Sequence, residues 1–176
     1  MSHRRPLALA LAALAIAACG PDAARDPLAP TAPRLARGDH ADAAKAKRIH
    51  GTLDAEETGV FQPGPPLRSV RHLEGRGTAS HLGRFTLVAD FTLNLAIAAA
   101  SGSVTLAAAN GDVLTGTSTG RAVVGGGIAA VTETVAVTGG TGRFAGATGT
   151  LTVLRRVVQA TGVSSGTVEG TITLPK

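Results

Sequence analysis

The sequence predicts an all-β fold: an eight-stranded antiparallel up-and-down β-barrel preceded by a signal peptide and a disordered linker. Three observations predict it. From Ile49 onward, apolar residues alternate with Thr, Ser and Gly at a period of two, the pattern of strands with one buried face. Clusters of turn-forming residues break the alternation at regular intervals, which leaves no room for a long helix. A continuous meander of such strands closes most simply into a barrel, because closure removes every exposed edge.

Ahead of the strands, Arg4 and Arg5 precede an apolar run from Leu7 to Ala17, and Ile16-Ala17-Ala18-Cys19 ends it on the only cysteine of the chain. A positive start, a short apolar segment and small residues before a cut are the parts of a secretory signal. The run is shorter than the roughly 20 residues a spanning helix needs. This segment resembles the lipobox of bacterial lipoproteins. The resemblance implies a signal peptide over residues 1–18 that is removed and a diacylglycerol on the Cys19 thiol. The membrane is then a partner through that lipid, and the location is the bacterial cell envelope. Gly20 follows the cysteine where an aspartate would direct inner-membrane retention in enteric bacteria, so the expected site is the outer membrane, facing the periplasm. A single cysteine permits no intramolecular disulfide, so an exported domain must rest on its core.

Residues 19–47 read as a disordered tether, since Pro21, Pro27, Pro30 and Pro33 stand too close together for a stable helix across them. As a coil this segment reaches on the order of 30 Å. The domain proper spans 48–176. Its strands are expected at 48–60, 68–80, 83–95, 101–109, 112–121, 128–137, 146–159 and 164–174. The third shows sidedness best, with Phe85, Leu87, Ala89, Phe91, Leu93 and Leu95 on one face and Thr86, Asp90, Thr92 and Asn94 on the other. The fourth and fifth form a hairpin through Asn110-Gly111, a pair suited to a type I′ turn. The eighth repeats the alternation, with Val168, Gly170, Ile172 and Leu174 opposed to Thr167, Glu169, Thr171 and Thr173.

Between the sixth and seventh strands runs Thr138-Gly139-Gly140-Thr141-Gly142-Arg143-Phe144-Ala145-Gly146-Ala147-Thr148-Gly149. Its glycines allow positive φ and close backbone approach where the chain turns, and Phe144 is placed to plug a barrel end. It is not a phosphate loop, because no third glycine falls at the dinucleotide spacing and a strand rather than a helix follows. The segment resembles the glycine-rich signature of dirigent proteins and allene oxide cyclases, and Thr78-Ala79-Ser80-His81-Leu82-Gly83-Arg84-Phe85-Thr86 is similar to a second segment of related bacterial barrels. The resemblance implies an eight-stranded antiparallel barrel. It also implies two activities, cyclisation of an apolar epoxide and the orienting of phenolic coupling partners. The pocket residues of those families have no one-to-one match here, and the chain contains no Tyr.

The sequence pI of 10.6 suggests nucleic acid until the charges are placed. Arg4 and Arg5 leave with the signal, and residues 49–176 carry nine basic and eight acidic residues. No basic face forms, and four Phe with neither Trp nor Tyr give no stacking platform. Nucleic acid is therefore not an expected partner.

Chemistry is sought where a polar group falls on an apolar face, since burial there must be offset. Glu133 shares the parity of Val131, Val135 and Val137, which aims its carboxylate inward as a candidate acid or base, unless a rim position or an ion pair with Arg121 or Arg155 claims it. Arg155 shares a face with Leu151, Val153 and Val157, as partner of Glu133, as an anion contact or as a chain snorkelling to the mouth. Phe85 and Phe91 are the expected apolar contacts of a ligand. His50, His72 and His81 lack metal spacing and a fourth ligand, so neither metal nor other cofactor is expected. Ser80 and His81 are adjacent strand residues that point apart, which is no nucleophile and base. The leading expectation is a lipid-anchored, non-enzymatic barrel that binds a small apolar molecule or serves a structural role. The alternative is an isomerase or cyclase working through Glu133.

Overall fold

The computed structural model describes residues 45–175, which form one closed barrel of eight antiparallel strands. These are β1 (Lys45–Gln62), β2 (Arg68–Ala79), β3 (Gly83–Asn94), β4 (Ala99–Ala108), β5 (Val113–Gly125), β6 (Ile128–Gly140), β7 (Thr148–Val158) and β8 (Val163–Leu174), with a 3-10 turn at Gly142–Phe144. Each strand pairs with the next, and β1 closes the barrel on β8. The signal peptide, Cys19 and the tether up to residue 44 lie outside the described residues. Lys45–Lys47, expected in the tether, are the start of β1. The reason is that β8 continues far enough to pair them, Lys45 with Leu174 and Lys47 with Ile172.

The meander gives the barrel two unlike ends. At one end lie the β2–β3, β4–β5 and β6–β7 connections, together with the points where the chain enters at Lys45 and leaves at Leu174. This end is plugged. The 3-10 turn swings Phe144 over the barrel axis, where it is fully buried with Ala147, Ile172 and Leu82. Gly142 has φ 55°, which a side chain adopts only with strain, and a Cβ there would also collide with the Asp112 carboxylate. Arg143 ties the plug to the β2–β3 turn by donating from Nη2 to the Leu82 carbonyl at 3.2 Å, and its guanidinium lies 4.8 Å from the Phe144 ring centre.

Two turns differ from expectation. The tight hairpin is β5–β6, where Gly126 and Gly127 both have positive φ, as a type I′ turn requires. Ala122–Gly125 therefore continue β5 beyond the expected end at residue 121, paired up to Gly125 opposite Ile128. At Asn110-Gly111 only the glycine has positive φ, 87°. There the Asn110 side chain accepts from the Asp112 backbone N–H (3.3 Å) and donates to the Asp112 carboxylate (2.7 Å), which stabilises a longer loop.

Inward-facing residues of all eight strands make a single core. Several large inward side chains sit across the ladder from a glycine: Phe85 opposite Gly77, Phe91 opposite Gly102, Leu151 opposite Gly170. In so narrow a barrel the missing Cβ is the space the neighbour fills.

Candidate functional site

At the other end, between the β1–β2, β3–β4, β5–β6 and β7–β8 connections, the barrel is open. Below this mouth four charged side chains cross the interior. Arg155 on β7 donates from Nε and Nη2 to the two oxygens of Glu133 on β6, at 3.2 and 3.3 Å. Its Nη1 donates to Glu57 Oε2 on β1 at 2.9 Å and to Ser164 Oγ on β8 at 3.5 Å. Glu57 Oε1 in turn accepts from Arg71 Nη1 on β2 at 3.4 Å. The Arg155 side chain is 2% exposed and each glutamate side chain 12%. Phe91 flanks the cluster, 5.9 Å from the Arg155 guanidinium, and Phe61 stands 6.0 Å from that of Arg71.

Local sequence makes room for these chains as it does for the phenylalanines. Glu133 lies opposite Gly120, Arg155 opposite Gly166 and Arg71 opposite Gly59. A Cβ on Gly166 would stand 2.7 Å from Arg155 Cβ, and one on Gly120 would stand 2.8 Å from Glu133 Cγ. Burial, the largest influence on Arg155, opposes its charge, yet the attraction of Glu133 and the hydrogen bonds Arg155 donates to Glu133 and Glu57 outweigh it and hold its pKa above the ordinary arginine value. A bidentate guanidinium–carboxylate pair with further acceptors is the geometry that best offsets burial of two charges.

The cluster divides the interior. Below it, among Leu53, Leu87, Val135 and Val153, the free space is about 30 Å³, far short of a ligand pocket. Above it a vestibule of about 390 Å³ opens to solvent, with walls that include Leu93, Leu95, Val131 and Val157 and a floor of Glu57, Arg71, Glu133 and Arg155. Ligand pockets begin near ~300 Å³, so the upper space is the one that admits a small molecule. Arg71 Nε is buried beside Gly59 and has no acceptor among the described residues.

The structure brings Glu133, Arg155 and Phe91 together at this floor. Phe85 sits apart from the vestibule, 4% exposed in the core, where it borders the lower space. Glu57 and Arg71 were not singled out in the sequence, although the signal was there: Glu57 shares the parity of Leu53 and Ala55, and Arg71 that of Leu73. Arg121 instead points out of the barrel wall, towards the Ile97 carbonyl. His50, His72 and His81 are all exposed. Ser80 Oγ donates to the Arg48 carbonyl at 2.9 Å. Among the described residues no group of three or more His, Cys, Asp or Glu is placed to hold a metal.

A closed eight-stranded antiparallel barrel, plugged at one end and open at the other over a polar floor, is a fold also met in dirigent proteins. Solved structures similar to it include two pterocarpan synthase dirigent proteins. PsPTS1 matches with a TM-score of 0.54 and 16% identity over 75% of this chain and 97% of that chain. GePTS1 matches with a TM-score of 0.55 and 15% identity, over 75% and 92%. No family model matches the chain, and no curated protein does. At such identities the likeness is one of fold.

Proposed function

We propose that the protein is a lipid-anchored envelope barrel that binds a small, largely apolar molecule in the vestibule and is not an enzyme. The observation that carries this reading is the vestibule of about 390 Å³ over a fixed charged floor. Apolar walls supply affinity through burial, and the floor orients a polar end. Two arginines and two glutamates balance in charge, so the favoured head group is a neutral hydroxyl or carbonyl that accepts from the exposed part of the Arg71 guanidinium. The anchor rests on the sequence around Cys19. Lys45 begins β1 at the plugged end.

The competing cyclase reading, with Glu133 as acid or base, is supported by the position of that residue between the two cavities. Against it, Arg155 engages both Glu133 oxygens, which favours an orienting role. The test is native mass spectrometry of the protein purified from its producing cells, beside a variant with the vestibule filled by Leu95→Trp. A bound small molecule that the filled variant lacks supports binding. An empty wild type, or a ligand retained by the filled variant, defeats it. Conversion of the recovered ligand by wild type but not by Glu133→Gln supports the cyclase instead.

A further inference from the structure

The hydrophobic residues that the barrel leaves in water are not scattered. Of eleven large ones exposed among the described residues, eight stand at the mouth: Val60, Phe61 and Leu67 from β1–β2, Ile97 from β3–β4, Val123 and Val124 from β5–β6, and Val158 and Val163 from β7–β8. All four connections contribute, so the apolar residues form a ring, led by Val123 at 77% and Phe61 at 63% exposure. Eight exposed apolar residues gathered at one end of a domain whose outer wall is otherwise rich in threonine call for a partner. The same four regions, residues 58–70, 92–100, 119–132 and 156–165, hold Arg68, Arg121 and Arg156 and no Asp or Glu. The three arginines are exposed.

We infer that the mouth docks on an anionic lipid surface, with the ring entering the acyl boundary and the three arginines meeting lipid phosphates. Apolar rings beside unneutralised cations are what interfacial binding needs, since apolar burial and attraction to anionic headgroups add. The pattern disfavours a second copy as occupant. A two-fold dimer joined mouth to mouth sets the patch against itself, so its three arginines would meet a surface with no carboxylate to pair them. Docking brings the vestibule to the source of an apolar ligand, though the inference stands without a ligand.

The absence of Trp makes the test direct, because one introduced indole reports alone. The full-length chain carries Cys19→Ser in every arm, so that no lipid at that residue holds it to a vesicle. Phe61→Trp reads the mouth, and Ala109→Trp reads the β4–β5 turn at the plugged end. With phosphatidylglycerol vesicles the indole at position 61 shifts to shorter wavelength and is quenched by brominated acyl chains, while the one at 109 does not respond. On pure phosphatidylcholine, or with Arg68, Arg121 and Arg156 all replaced by Gln, affinity falls on the order of a hundredfold, about fivefold for each arginine. Should Phe61→Trp fail to fold, Val123→Trp takes its place. Emission at the mouth that ignores anionic vesicles overturns the proposal, as does a mouth reporter already protected by self-association in sedimentation without lipid. Neither result touches the vestibule reading, which native mass spectrometry decides separately.

Discussion

The plugged end and the mouth of this barrel solve opposite problems with the same strands. At the plug, turns bring Phe144, Leu82 and Ala147 together in a dry, fully packed lid. At the mouth, strands end around a vestibule floored by four charges. Both segments that resemble dirigent and allene oxide cyclase barrels, residues 78–86 and 138–149, lie at the plug, joined by the Arg143 to Leu82 hydrogen bond. The resemblance therefore reports how the barrel is closed. The charged cluster lies at the far end, on residues outside both segments, and fold likeness does not carry an activity across.

The largest effects come from breaking each end in turn. Arg155→Met leaves Glu57 and Glu133 buried without their shared partner, and the expected loss is about 3–5 kcal/mol in urea unfolding. Adding Glu133→Leu should return part of it, since one orphaned carboxylate disappears. Phe144→Ala empties the plug and should cost a similar amount, about 3–5 kcal/mol. The two differ in what else they change. Folded Phe144→Ala should retain whatever ligand the wild type carries in native mass spectrometry, whereas Arg155→Met should lose it. Loss of ligand from both would mean that the ends are coupled.

Smaller changes sharpen the contrast. Glu133→Gln keeps its shape but gives up the charge-assisted pair with Arg155, for an expected loss of about 1.5–3 kcal/mol. A near-neutral result is what a solvated rim position would give, so denaturation of this variant tests the buried placement. At the plug, Gly142→Val must force a side chain into φ 55°, and strain of about 1–3 kcal/mol should lower Tm by several degrees. Gly142→Ala should behave alike, because the conformation and the Asp112 carboxylate exclude any Cβ.

The strands were legible because period-two alternation is a local signal, and it ran through all eight elements. Legibility fell where a decision depends on a neighbour strand. Glu133 and Arg155 were visible by parity, but which of several arginines meets Glu133 depends on the register that sets Val131 opposite Arg155. Glu57 had the same parity signal and went unnoticed among the acidic pair Glu56-Glu57, only one of which faces inward. The Asn110-Gly111 turn misled because side-chain bonds between Asn110 and Asp112 favour a longer loop than the dipeptide suggests. Vestibule volume is a property of the closed barrel and has no one-dimensional trace.

The smallest effect separates charges inside the barrel from charges on its wall. His72, exposed on the outside of β2, hydrogen-bonds Asp90 at 2.7 Å and Glu74 at 3.2 Å. The Asp90 bond first, then the Glu74 bond, raises its pKa above the ordinary 6.5. A raised folded pKa means that the folded state holds the proton more tightly than the unfolded chain. The stabilisation is thus complete below the unfolded value near 6.5 and fades as pH rises through the higher folded value. Urea midpoints of wild type and His72→Gln should differ most at pH 5 and converge at alkaline pH. Because the group is exposed, 0.5 M NaCl should shrink the difference at pH 5, whereas the cost of Arg155→Met should scarcely respond, since salt screens surface pairs far more than buried ones. A His72→Gln deficit that is equal at pH 5 and pH 9 would assign the residue to wall packing rather than to charge.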